Sequence, residues 1–148
     1  MSDWNDVITA LNRVPGIRTW RPQPGTTRKL QATISTDDHG EMTMVIDNDS
    51  REDWLQLLIT VSDTSDAKIW AAAGWCLKDM PTIGLAQIGD GIVIRHGILL
   101  PHADPHAITH GINLTVSAAT TLYDRTTDAQ AGPPPRSPPA DGGKSCNG

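Results

Sequence analysis

The 148-residue chain has no phenylalanine and one tyrosine, but five tryptophans. Aromatic packing therefore rests on indoles, and each brings an N–H that needs a partner once buried. Cysteine is scarce as well. Cys76 lies in an apolar helical pattern and Cys146 near the end, so no disulfide framework is expected and a reducing compartment suits the chain. The longest apolar run, residues 69–77, is nine residues interrupted by Gly74, far short of the about 20 that a membrane-spanning helix needs. No membrane partner is expected. The opening residues are acidic and amphipathic, without the basic and apolar regions of a secretory signal, which reads as a cytoplasmic protein. Positive charge is also in short supply, with 12 Lys and Arg against 17 Asp and Glu and a net charge of -5. A nucleic-acid partner would call for a basic domain and is not expected.

The charge is graded along the chain. Residues 1–30 carry five basic and two acidic groups, residues 31–66 one basic and nine acidic, and the remainder six of each.

Trp4, Val7, Ile8, Leu11 and Val14 share one helical face, with Ser2 or Asp3 able to cap and Pro15-Gly16 to stop the helix. Residues 17–28, with Pro22, Pro24-Gly25 and three arginines, read as an irregular connector. Leu30, Ala32 and Ile34, then Met42, Met44 and Ile46, alternate with polar residues around Asp37-Asp38-His39-Gly40, which predicts a β-hairpin with one apolar face. After a polar turn over 47–53, Leu55, Leu57, Ile59 and Val61 fall on one side of a third strand, apolar on both faces at its centre and so expected inside the sheet. From Asp66 to Met80 the period becomes helical, with Ile69, Ala72, Ala73, Cys76 and Met80 in one stripe and Trp70 and Leu77 beside it. So wide an apolar arc predicts cover on both sides, with Trp4 and Trp70 in core positions. Ile83 to Ile88, a Gly89-Asp90-Gly91 turn and Ile92 to Leu100 give a second hairpin. Asp104-Pro105 then opens a long helix to about Arg125.

The expected fold class is α+β, in the order α-β-β-β-α-β-β-α, with an antiparallel sheet of about five strands packed with helices. The folded domain is expected over 1–127. Residues 128–148 are rich in Pro and Gly with almost no large apolar side chain, which predicts a disordered tail. Its Pro133 to Pro139 segment could adopt polyproline II, but its composition fits a spacer better.

Four histidines, His96, His102, His106 and His110, lie close to Asp104, and His106 and His110 are one helical turn apart, as zinc ligands can be. Ala107 stands where a zinc protease would carry its glutamate, and both helical histidines project from the polar face, away from the stripe of Ile108 and Ile112. A metal-binding hydrolase or sensor using His102, Asp104, His106 and His110 is therefore an alternative, and no metal or cofactor is expected. His96 shares the parity of the apolar residues of its strand and reads as a satisfied core histidine.

The run from Asp47 to Asp53 begins like a calcium loop but has Glu52 where glycine is needed and Leu58 at the final ligand position. Gly143-Lys144-Ser145 lacks the earlier glycine of a P-loop. No Gly-x-Ser-x-Gly elbow occurs, and Cys76 has no adjacent base. No catalytic set is visible. Of the tryptophans, Trp20 could stack on a planar ring or pack over the sheet edge, and Trp54 and Trp75 fall outside the main apolar stripes.

The element order, together with Gly91-Ile92-Val93-Ile94-Arg95 leading to Leu99-Leu100-Pro101 and a capped helix, resembles the type III secretion chaperone-like fold and its YbjN-related branch over roughly residues 2–126. The His102 to His106 segment and the proline-rich tail lie outside that pattern. The resemblance implies a small acidic, non-enzymatic protein-binding module that often dimerises and holds an extended segment of a client. A free sheet face or edge could take such a segment by strand addition. Trp20, Trp54, Trp70, Trp75 and Leu77 are the candidate partner or homodimer surface. A dedicated regulatory or immunity partner, in place of many clients, is the other alternative.

Overall fold

The computed structural model describes residues 1–62, 67–80 and 82–130, the side chains of 75, 76 and 126–130 excepted. The elements run α1 (Trp4–Arg13), β1 (Ile17–Pro22), β2 (Lys29–Thr36), β3 (Gly40–Asp47), β4 (Trp54–Ser62), α2 (Ala67–Cys76), β5 (Ile83–Ile88), β6 (Gly91–Leu99), a 3-10 turn (Leu100–His102) and α3 (Pro105–Gln130). Among the described residues the strands form one six-stranded sheet in the order β1-β2-β3-β4-β6-β5, antiparallel throughout.

The fold is α+β as expected, but with six strands where five were predicted. The missed strand is β1, inside the stretch read as an irregular connector. Its register with β2 shifts between Ile17 and Thr19, so the two inward residues, Ile17 and Trp20, stand three apart. A bulge adds one residue to a strand and breaks its two-residue period, which hides the strand from any search for alternation.

α1 begins with a capping box. The Asp3 carboxylate accepts from the Asn5 and Asp6 amides at 2.8 and 3.2 Å, and the Asp6 carboxylate accepts from the Asp3 amide at 3.0 Å. Ser2 is buried instead, donating from Oγ to the Ala103 carbonyl at 3.0 Å and tying the start of the chain to the turn before α3. Asp104 caps α3 as its sequence signal foretold, accepting from the Ala107 amide at 2.7 Å. α3 runs five residues beyond the predicted end at Arg125, so the boundary expected after 127 falls within it. The tail over 131–148 lies outside the described residues.

Side-chain alternation sorts the sheet into two faces. Leu30, Ala32 and Ile34 of β2, Met44 and Ile46 of β3, Leu55, Leu57 and Ile59 of β4, and Ile92, Ile94, His96 and Ile98 of β6 are all buried and lie opposite one another across the ladders. α3 packs over β4 and β6 on this face through Ile108, Ile112, Ala118, Ala119 and Leu122, and α1 and α2 pack against α3. Among the described residues α2 is covered on one side only, whereas its wide apolar arc predicts cover on both. Ile69 and Ala73 are buried, whereas Trp70, Ala71 and Gly74 face outward. Small residues widen the apolar arc without supplying bulk for a second layer. β4 is an interior strand, as its two-sided apolar centre indicated.

Candidate functional site

Among the described residues no helix covers the second face of the sheet. Its cross-strand rows are Gln31, Val45, Leu58, Arg95 and Gly84, then Asp47, Gln56 and Gly97, then Thr60, Val93 and Ala86. Two of these positions are glycine, and their missing side chains leave a trough between β4 and β5. A cleft of about 450 Å³ opens there, lined by Arg51, Trp54, Gln56, Gly84, Arg95, Gly97 and the start of β5. The Trp54 indole leans over Gly97, where a Cβ would lie 3.3 Å from the ring, and it keeps 38% of its surface exposed. The glycine thus seats the tryptophan.

The loop between β3 and β4 carries Arg51 and Trp54 to this cleft. Buried Asn48 organises it, donating from Nδ2 to the carbonyls of Glu52 and Trp54 at 2.9 and 3.1 Å, with Arg51 at 3.4 Å. Asp47 accepts from the Asp49 and Ser50 amides and the Ser50 hydroxyl, with Lys29 Nζ at 3.3 Å on the neighbouring strand. Asp49 reaches across to the β1–β2 connector and accepts from the Thr27 and Arg28 amides and the Thr27 hydroxyl. These carboxylates of the calcium-like run are thus engaged by donors of the chain itself.

Burial alone would raise the Asp47 carboxyl, but the Ser50 hydroxyl and amide and Lys29 outweigh it and hold it below its ordinary value. The Arg28 amide, helped by Thr27, lowers Asp49 against a smaller opposing desolvation. A depressed carboxyl contributes stability above its unfolded value and loses it as pH falls through the folded one. Unfolding free energy is therefore expected to drop on acidification below the ordinary value of 3.8. Chemical denaturation at a series of pH values should show this slope flattened in Asp47→Asn, and an unchanged slope would rule Asp47 out as its source.

The two guanidiniums at the cleft, Arg51 and Arg95, have no ion pair and no side-chain hydrogen bond among the described residues. Arg21, farther along the same face, is engaged by Gln31 at 3.2 Å. Sequence reading did not single out Arg51 or Arg95 as site residues, and only the fold brings them together.

A second cleft, of about 480 Å³, lies where β3 and β4 part company. Their pairing ends at Met44 opposite Ile59, so residues 40–43 and 60–62 diverge. His39, in the β2–β3 turn, bridges this opening to α3, with Nε2 2.5 Å from Asp124 and its ring edge-on to Tyr123. No signal in the sequence linked His39 to Asp124.

The other candidate residues do not converge on one surface. Trp20 is half-buried at the β1 edge, its indole donating to Asn12 of α1 at 3.1 Å, which is the edge-packing role weighed for it. Trp70 is on the outer side of α2, in the helical layer, with 38% of its surface exposed and not in the core position expected of it. Leu77 is half-buried just past α2, and the Trp75 side chain lies outside the described residues. Among the described candidate side chains Trp54 alone reaches the bare face. His102, His106 and His110 are exposed, with the last two rings stacked 6.4 Å apart, while the Asp104 carboxylate is taken by its cap. Among the described residues no three His, Cys, Asp or Glu side chains are grouped to hold a metal ion. His96 is buried and bonded from Nδ1 to the Thr82 carbonyl at 2.9 Å, a satisfied core histidine.

No protein-family model matches the chain, and no curated protein matches it in sequence. Among the described residues no helix is long and apolar enough to cross a membrane.

Proposed function

We propose that the chain is a non-enzymatic peptide-binding domain of the type III secretion chaperone-like, YbjN-related kind, which holds an extended segment of a partner protein along β5 and over the Trp54 cleft. The observation that carries this reading is the contrast between the two edge strands. β1 is guarded by a bulge, by Arg18 and Arg21 and by Pro22, all devices that discourage pairing with another chain. β5 reads Ile83-Gly84-Leu85-Ala86-Gln87-Ile88, without charge, proline or bulge, and among the described residues it pairs with β6 alone. A regular, uncharged edge is a template for another strand.

The hairpin fixes which groups that edge offers. Gly89, at φ 59°, and Asp90 form a two-residue turn, so Ile88 and Gly91 are a hydrogen-bonded pair and the pairs alternate from there. The N–H and C=O of Leu85 and Gln87 consequently point away from β6. Proline at 87 removes only an outward donor, and its φ is tolerated on an edge.

The test is a titration of the isotope-labelled protein with a capped nine-residue peptide of alternating threonine and valine, followed by backbone amide NMR. The Leu85 and Gln87 amides are expected to shift, and Gln87→Pro should weaken binding about tenfold, equivalent to one lost backbone hydrogen bond of about 1.4 kcal/mol, without lowering stability. Amides of 83–88 that ignore the peptide would overturn strand addition.

A further inference from the structure

We infer that the cleft selects an acidic side chain in the bound segment, so that a partner strand running antiparallel to β5 presents apolar residues at two-residue spacing followed by a glutamate or aspartate. The inference rests on the strand-addition reading above and assigns the chemistry of its occupant.

The chain has five more acidic than basic groups, yet Arg51 and Arg95 come from a loop and a strand to one cleft and meet no carboxylate within ion-pair distance among the described residues. Two other cations on this face are engaged, Lys29 by Asp47 and Arg21 by Gln31. The two free guanidiniums are thus the face's available positive charge beside Trp54, and a guanidinium offers a fork of donors suited to a carboxylate.

Glycine opens the path from the edge to that charge. Gly84 lies directly opposite Arg95 on the bare face, and a Cβ there would have only the Arg95 carbonyl within 4 Å, at 3.9 Å. A strand added outside β5 would sit two strand spacings, about 10 Å, from β6. Its residue opposite Gly84 projects over a position without a side chain, and a glutamate and an arginine extended toward each other bridge that span. The Trp54 ring walls the far side of the cleft, where it shields the pair from water. Along β5 the next bare-face positions are Ala86 and Ile88, the latter 57% exposed, which suit apolar partners. One register therefore places an acid over Gly84 and apolar residues at the next two positions of the same face.

The probes are three capped nine-residue threonine peptides with valines two and four residues before a central position that is glutamate, glutamine or lysine. Amide and arginine Nε NMR signals report where each binds. The glutamate peptide is expected to move Arg95 Nε and the Gly84 and Gly97 amides together with Leu85 and Gln87, and to bind about tenfold tighter than the lysine peptide. Arg95→Gln should remove about threefold of this, as should Arg51→Gln, consistent with partly exposed charge pairs. Thermal melts of both variants check that they fold. Three peptides binding equally while shifting Leu85 and Gln87 would overturn acid selection and leave strand addition standing. Peptides that move neither set would overturn both, and a glutamate preference that survives in both arginine variants would place the selecting charge elsewhere.

Discussion

Replacing Asn48 by alanine is expected to cost about 2–3 kcal/mol of stability and to weaken peptide binding at the bare face as well. The asparagine is 2% exposed, and its amide nitrogen faces three carbonyls, of Arg51, Glu52 and Trp54. Losing one neutral hydrogen bond costs about 1 kcal/mol net, but acceptors left facing a void lose more because water cannot replace the donor. The side chain acts on function through position. It fixes the loop that carries Arg51 and the start of β4 that carries Trp54, while its own backbone amide donates to the Arg28 carbonyl at 2.9 Å. Asn48→Asp separates hydrogen bonding from volume. It preserves shape but points a carboxylate at the same three oxygens, so it should be the more damaging change at neutral pH. Urea denaturation of both variants decides this. Equal losses would mean that packing alone matters at 48, and a loss under 0.5 kcal/mol in both would mean that the loop holds itself through Asp47 and Asp49.

How much of this was legible before the structure follows from the range of the interactions. Caps, the second hairpin and the interior place of β4 are set by neighbours within a few residues or by which faces are apolar, and Asp104, Gly89 and the Leu55 to Ile59 alternation displayed them in the sequence. β1 did not, because a bulge destroys the period that reveals a strand. The run over 47–53 looked like a metal loop because acidic residues that bind backbone amides are the same residue types that bind cations. Only the partners distinguish the two, and here they are Ser50, Thr27, Arg28 and Lys29. The cleft was beyond sequence reading for a further reason. Arg51, Trp54, Gly84, Arg95 and Gly97 come from three strands and a loop, and which of them meet depends on register across two ladders. Tryptophan content and its place outside the main apolar stripes nominated Trp54, but in one set with Trp75, whose side chain lies outside the described residues, and with Trp20, Trp70 and Leu77, which fold to other surfaces.

The same dependence on long-range register governs Gly111, where alanine is expected to destabilise the protein although it removes a glycine from a helix. In an isolated helix the change would gain about 1 kcal/mol. Here a Cβ would stand 2.5 Å from Ile98 Cδ1 and 3.1 Å from the His96 ring, at the point where α3 crosses β6. His96 cannot swing aside without giving up its bond to the Thr82 carbonyl at 2.9 Å. Overpacking a filled core costs about 1–3 kcal/mol, so the net loss should reach up to about 2 kcal/mol once the helical gain is subtracted. Ile98→Val tests the cause because it deletes Cδ1, the nearest atom, at a cost of about 1 kcal/mol by itself. In the double variant the two losses should fall short of additive by about 1 kcal/mol, a coupling expected of residues in direct contact. Additive losses would mean that α3 absorbs the methyl by shifting along the sheet. Peptide binding supplies an independent check, since Arg95 and Gly97 lie on the opposite face of β6 from Gly111. A folded Gly111→Ala protein should bind the glutamate peptide as the parent does, whereas Asn48→Ala should not.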